Sequence, residues 1–256
     1  MENKIAHFLK YLNTGLRYDN RKLDEFRKIT IEENISKNAE GSVRVKFGET
    51  EVLAGVKMEM GKPFPDKPDE GSIMVNVELL PLSSPDFESG PPGIKAIELA
   101  RVVDRGIRES KAVDFKKLCI EEGEKVWILL IDIISVNDAG NLLDASALAA
   151  LAALKNAVYP KIEDGKINYK EMTKEKVKLE KEPISITVYK VGDKMIIDPT
   201  YEEEKFAEGR LTTASTAEGK ICAMQKGLDS PLTLEEIDLM VNLALEKAKD
   251  VRKSLK

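Results

Sequence analysis

The chain has 256 residues, of which 42% are hydrophobic, 33% charged and 5% aromatic, with a net charge of −5. This is the composition of a soluble globular protein with an aliphatic core, and the negative balance argues against wholesale attraction to nucleic acid or acidic membranes while leaving room for a local basic patch. One histidine, His7, and two cysteines, Cys119 and Cys222, argue against Ser-His-Asp or Cys-His catalysis, a histidine-rich zinc site and a disulfide framework. No run of 18 apolar residues occurs and the N-terminus has no signal-type apolar segment, so a reducing, cytoplasmic setting without membrane association is expected.

Ile5, Phe8, Leu9 and Leu12 predict an amphipathic helix over 3–13, followed by the polar segment Arg17-Tyr18-Asp19-Asn20-Arg21. Ile29/Ile31 and Val43/Val45/Phe47 alternate as half-buried strands do, and Gly48-Glu49 marks a hairpin turn into the strand Thr50–Met58. A Pro- and Gly-rich loop (61–71), a strand (72–80) and a second proline-rich loop (81–93) lead to a helix over 94–111. Val126–Val136 (VWILLIDIISV) reads as a strand buried on both faces. After the turn 137–141, Leu143–Lys155 is an alanine-rich buried helix whose small side chains let neighbouring backbone come close. Residues 161–182 are densely charged and expected to be exposed. Two hairpins follow, around Gly192-Asp193 and Glu218-Gly219, and a closing helix over 232–254 starts at a Thr233 N-cap. The order predicts an α+β fold in one domain, mixed sheets packed with buried helices, behind an N-terminal helical extension.

Four groups of residues could carry chemistry. Arg101, Arg105 and Arg108 share one helix face; they either form intrahelical salt bridges with Glu98, Glu109 and Asp104 or face phosphates, which the arginine fork suits. Asp198 and Glu204 are either solvated loop acids or a pair able to hold Mg²⁺ or perform acid/base work. Asp138-Ala139-Gly140-Asn141 is either a phosphate-cradling turn or a strand-to-helix turn capped by Asn141 or Asp144, and no Lys or Arg stands within it. Arg17, Asp19, Arg21, Asp24 and Arg27 are explained by structural ion pairing.

The segments RYDNR (17–21), GETEVLA (48–54), AIELARVVDRGIRES (96–110), NDAGN (137–141) and MIIDPTYEEE (195–204), in this order, resemble the RNase PH family. Their match to the strand-borne acidic segment of that family reads MIIDPTYEEE as strand. The similarity spans residues ~17–250 and places residues 26–256 in an RNase PH-like domain behind an extension over 1–25. The stretch LLPLSSPDFESGPPGIKAIELARVVDR and the extension resemble the non-catalytic subunit type of the archaeal exosome ring. That resemblance implies a hexameric ring alternating with a catalytic RNase PH-like subunit, RNA in a central channel, RNA-binding cap proteins, and no cofactor.

The family's chemistry is phosphorolysis: phosphate attacks the 3′-terminal linkage of RNA, and cations must offset the meeting of two anions. Active members hold phosphate with an arginine at the start of the 94–111 helix and a Ser/Thr, often followed by arginine, in the turn before the alanine-rich helix. Here Lys95 and Asn141 stand at those places, a degraded phosphate site. Asp198 and Glu204 remain as vestigial carboxylates, so no catalytic residue and no metal site is expected. Arg101 and Arg105, with Arg108 a lesser candidate, match arginines that bind RNA backbone beside the partner's site. The rivals are a self-sufficient phosphorolytic 3′–5′ exoribonuclease, a scaffold without RNA contact, and a metal-dependent hydrolase on Asp198 and Glu204.

Overall fold

The structure, a computed structural model, describes residues 2–163 and 165–255. Its first helix, α1 (Glu2–Leu12), forms where the apolar spacing predicts and fully buries one face through Phe8 and Leu12. The first sheet contains β1 (Ile29–Glu33), β2 (Gly41–Phe47), β3 (Thr50–Gly61), β4 (Ser72–Leu79), β5 (Cys119–Glu121) and β6 (Lys125–Asn137). Its order is β1-β2-β3-β6-β4, with β5 beside β6 and only β4–β6 parallel. Gly48 (φ 57°) turns β2 into β3 and sets the Phe47–Thr50 pair, so Val43, Val45 and Phe47 all point into the core.

Two helices lie between this sheet and a second one. α2 (Ile94–Glu109) packs on β4, and α3 (Leu142–Asn156) packs on β2 and β3 and against α2. Twelve residues of α3 are buried, so its small side chains set the layer spacing. A Cβ on Gly41 of β2 would lie 2.3 Å from the Ala153 carbonyl, an approach that only glycine permits. The second sheet, order β10-β9-β11-β12, is antiparallel and contains β9 (Ile184–Val191), β10 (Lys194–Ile197), β11 (Gly209–Ser215) and β12 (Ile221–Gly227). α5 (Leu234–Lys253) packs on β9 and β11, and α3 also packs on β9, so β9 is covered on both faces. Thr233 caps α5 through a reciprocal box with Glu236 (3.2 and 2.9 Å). The α1 face closes on Tyr189, Val191 and Ile196 of this sheet.

Two expectations need correction and one is met. β6 is not buried on both faces: Leu129, Ile131 and Ile133 are buried, but Ile128, Leu130 and Ile134 are half-exposed and Asp132 is exposed. Its apolar run reflects a central position in the sheet, where β-branched side chains fit both pleats, although the helices cover only one face. The charged segment 161–182 is mainly exposed, as expected, and much of it is strand. It folds back as the hairpin β7 (Val158–Glu163) and β8 (Lys166–Lys176), with mainly exposed charges. Finally, MIIDPTYEEE is strand only to Ile197; Asp198 turns the chain at φ 45° and Thr200 caps the short helix α4 (Tyr201–Glu204).

Candidate functional site

Asp198 is fully buried and saturated with donors. Arg27 grips it with a fork, Nη2 to Oδ1 at 2.6 Å and Nε to Oδ2 at 2.9 Å. The Arg27 backbone N–H (2.7 Å), Arg21 Nη1 (3.1 Å) and Asn141 Nδ2 (3.0 Å) complete the shell. A carboxylate offers about four acceptor positions, and these are taken. Burial pushes its pKa up, but the Arg27 hydrogen bonds and charge outweigh this and the net shift is downward. Asp198 is therefore held ionised by the chain itself, not solvated as a loop acid. Arg27 also donates to the carbonyls of Ala139 (2.9 Å) and Gly140 (3.0 Å), tying the N-terminal arm to the turn before α3. Arg17, also fully buried, pairs with Glu203 and donates to the Ile197 and Asp198 carbonyls at 2.7 and 2.9 Å. The ion-pairing reading of this basic arm holds.

The turn before α3 already carries an internal anion. Asn141 sits at the N-cap in the left-handed region (φ 59°) without a side-chain cap bond, and its backbone N–H donates to Glu204 Oε1 at 2.7 Å. The same Glu204 oxygen accepts from Tyr189 Oη at 2.9 Å. Burial raises the Glu204 pKa, with the Asp138 charge adding to the effect. A carboxylate therefore fills the place at a helix N-terminus where a free anion would find its amide donor. Asn141 Nδ2 is divided between Asp198 and Asp144 (3.1 Å), and its Oδ1 is buried without a partner. Lys95 is half-exposed, reaches Asp138 Oδ2 at 3.4 Å and lies over the Phe87 ring at 4.7 Å. The lysine and the turn amide are both met by the protein's own carboxylates. Among the described residues no three His, Cys, Asp or Glu side chains converge as metal ligands.

Asp144, a candidate cap of this turn by sequence, lies below it. It is fully buried and accepts from the Thr187 amide (3.1 Å) and hydroxyl (2.7 Å). Burial pushes its pKa up to about 7, partly offset by the Thr187 bonds. A carboxyl raised from 3.8 to about 7 holds its proton in the folded state while the unfolded chain has lost it. Its stabilising share is complete below about pH 4 and is lost as pH rises through about 7. This group alone is expected to remove up to about 1.4 kcal/mol per pH unit in that window. Denaturant midpoints from pH 4.5 to 8 should show a shallower fall in Asp144→Asn than in the parent; parallel curves would contradict the assignment.

The arginine stripe on α2 divides by partner. Arg108 is bound to Asp104 at 2.8 Å, donates to the Ile73 carbonyl at 3.0 Å and stacks over Phe115. It is the i,i+4 salt bridge that the spacing allowed, worth roughly 0.3–0.5 kcal/mol. Arg105 donates to Oε1 of Gln225 on β12, the only glutamine in the chain, and so keeps its full charge. Arg101 is exposed and makes no ion pair or hydrogen bond among the described residues. The Glu98–Arg101 and Glu109–Arg105 bridges that spacing permits do not form. Glu98 turns instead to Arg210 of β11 at 2.6 Å. Arg101 and Arg105 line an open cleft of about 260 Å³ with Glu98 and Gln225, walled at one end by Ile94 and Ile97. A larger groove of about 840 Å³ adjoins it, between the end of β4 and the 86–96 loop. Two exposed apolar side chains stand near it: Ile94 is 87% exposed and Leu82, on the adjoining loop, is 82% exposed.

A parallel–antiparallel sheet and an antiparallel sheet closed over two helices, with a carboxylate-filled turn beside an arginine face, define a class that comparison names. Residues 25–160 match the 3′ exoribonuclease family, domain 1, and residues 181–247 match domain 2 of the same family. The chain belongs to the RNase PH family of 3′ exoribonucleases, and the α+β expectation is borne out. It is similar to the exosome complex component Rrp42 of Thermoplasma acidophilum, 47% identical over 251 residues covering 98% of this chain and 94% of that protein. The Rrp42 component of Methanosarcina acetivorans is 48% identical over 243 residues, 93% of this chain and 88% of that protein. A chain of the Archaeoglobus fulgidus exosome with RNA bound to the active site superposes with a TM-score of 0.93 at 46% identity, covering 100% of this chain and 98% of that one. Rice Rrp46, at 18% identity and a TM-score of 0.70, shares the fold. Among the described residues no helix is long and apolar enough to cross a membrane.

Proposed function

We propose that this chain is the non-catalytic ring subunit of an archaeal RNA exosome, residues 1–25 forming a helical extension on an RNase PH-like unit over 26–256. It alternates with a catalytic RNase PH-like partner in a hexameric ring, together with RNA and RNA-binding cap proteins, in the cytoplasm. It holds RNA phosphates with Arg101 and Arg105 beside the partner's phosphorolytic 3′–5′ exoribonuclease site. Arg108, neutralised by Asp104, has the smallest share. The exposed apolar rim at Leu82 and Ile94 suits contact with the neighbouring subunit.

The observation that carries this reading is the Glu204 carboxylate on the Asn141 amide. A phosphate entering there would meet Glu204 and Asp138 with Lys95 beside them, while the Arg21 and Arg27 guanidiniums are already committed to Asp198. Carboxylates so placed repel an anion, and the two cations best able to bind one lie apart, on the α2 face. The purified chain is therefore expected to show no saturable binding of inorganic phosphate in a calorimetric titration to about 10 mM, a range in which millimolar sites are weak but measurable. A stoichiometric site that Lys95→Met removes would overturn the reading.

A further inference from the structure

We infer that Arg210 is a positioning residue for RNA binding: by holding Glu98 it keeps the neighbouring Arg101 uncompensated and available to a backbone phosphate. This rests on the RNA-binding reading of the α2 face. Glu98 precedes Arg101 by three residues on α2, a spacing at which opposite charges ordinarily pair. It does not do so here. Arg210 Nη2 takes Glu98 Oε1 at 2.6 Å, with the two side chains only 17% and 30% exposed. A half-buried pair of this kind outcompetes a solvated one, because water screens the Glu98–Arg101 alternative.

The backbone is shaped for that pair. Arg210 lies opposite Gly227 in the β11–β12 register. A Cβ on Gly227 would fall 2.5 Å from Arg210 Nε and 2.7 Å from Cζ, so the guanidinium occupies the space a side chain would need. Glycine at 227 leaves the guanidinium room to cross the strand toward α2, and a larger residue there would require it to shift. The neighbouring pair follows the same logic with a neutral partner, since Gln225 fixes Arg105 without cancelling its charge. Two strands of the second sheet thus hold one acid away from, and one amide against, the cationic face of α2.

The test uses the ring assembled with its catalytic partner and a fluorescent single-stranded oligoribonucleotide of mixed sequence. Arg210→Met is expected to weaken binding about fivefold and to lower the salt slope by about 0.7, the share of one single-strand phosphate contact. Glu98→Gln added to Arg210→Met should restore both values, and Arg210→Met should add nothing to Arg101→Ala. Glu98→Gln alone, whose amide oxygen can still accept from Arg210, should bind as the parent does. Parent-like binding by Arg210→Met, a loss that Glu98→Gln does not reverse, or tighter binding by Glu98→Gln alone would each overturn the inference. The underlying reading fails separately: it falls if Arg101→Ala with Arg105→Ala leaves RNA binding unchanged.

Discussion

In the assembled ring, Arg101→Ala combined with Arg105→Ala is expected to weaken single-stranded RNA binding about 100-fold, on the basis of roughly 1.5 kcal/mol for each charge-assisted bond lost. The salt slope should flatten by about 1.4, from two phosphate contacts at about 0.7 each. Arg101 meets the requirement for such an effect because nothing among the described residues neutralises it, and Arg105 because its partner is a neutral amide. Arg108→Ala should have little effect on binding, since Asp104 already offsets that charge. Filter binding or anisotropy at 50, 100 and 200 mM salt separates these cases. An unchanged slope in the double variant would return the stripe to a purely structural role. Thermal stability of the double variant should stay near the parent value, because neither side chain anchors a buried acid.

The largest effect on stability is expected at Arg27. Arg27→Met removes the fork from a buried carboxylate and strips donors from the Ala139 and Gly140 carbonyls. Removing one member of a buried ion pair costs about 3–5 kcal/mol, because the other charge stays buried and uncompensated. Arg21, still 3.1 Å from Asp198, softens this loss without replacing the fork. In a chain of this size the cost corresponds to a fall in melting temperature of about 6–20 °C. Arg44→Met, which removes a half-exposed pair to Glu32 and Glu51 on the first sheet, provides the contrast at under about 1 kcal/mol. Equal melting temperatures for Arg27→Met and the parent would show that the Asp198 cluster is not what holds the turn before α3.

The sequence made the local features of this fold legible. Periodicity marked α1, α2 and α3, turn chemistry placed Gly48 and Gly192, and the box at Thr233 and Glu236 set the start of α5. The contents of the site were legible only as residue types. Whether Asp198 was a solvated acid or a buried hub depended on Arg27, which is 171 positions away. Whether Glu98 neutralised Arg101 depended on Arg210, which is 112 positions from Glu98 and sits in an ordinary strand pattern. Spacing along a helix ranks the partners a charge can reach within its own element; it carries no information on a competitor from another sheet. The acids of 198–204 were misjudged for the same reason, because charge in a turn usually means solvent exposure, and here Arg17, Arg27 and Tyr189 supply buried donors. Asp144 was legible only as a cap residue, because its partner Thr187 lies 43 positions away. The resemblance to the RNase PH family identified the positions at which a phosphate site should stand. The structure added what occupies them: Glu204 on the Asn141 amide and Asp138 near Lys95.

On the proposed function, this chain supplies cations for RNA but no phosphate-activating site of its own. The most direct measurement incubates RNA, inorganic phosphate and Mg²⁺ with the purified chain, with the catalytic partner and with the assembled ring, and follows nucleoside diphosphates by chromatography. Product is expected from the ring, less from rings carrying Arg101→Ala and Arg105→Ala, and none from the chain alone. Nucleoside diphosphates formed by the chain alone, and abolished by Asp198→Asn or Lys95→Met, would contradict the proposed function.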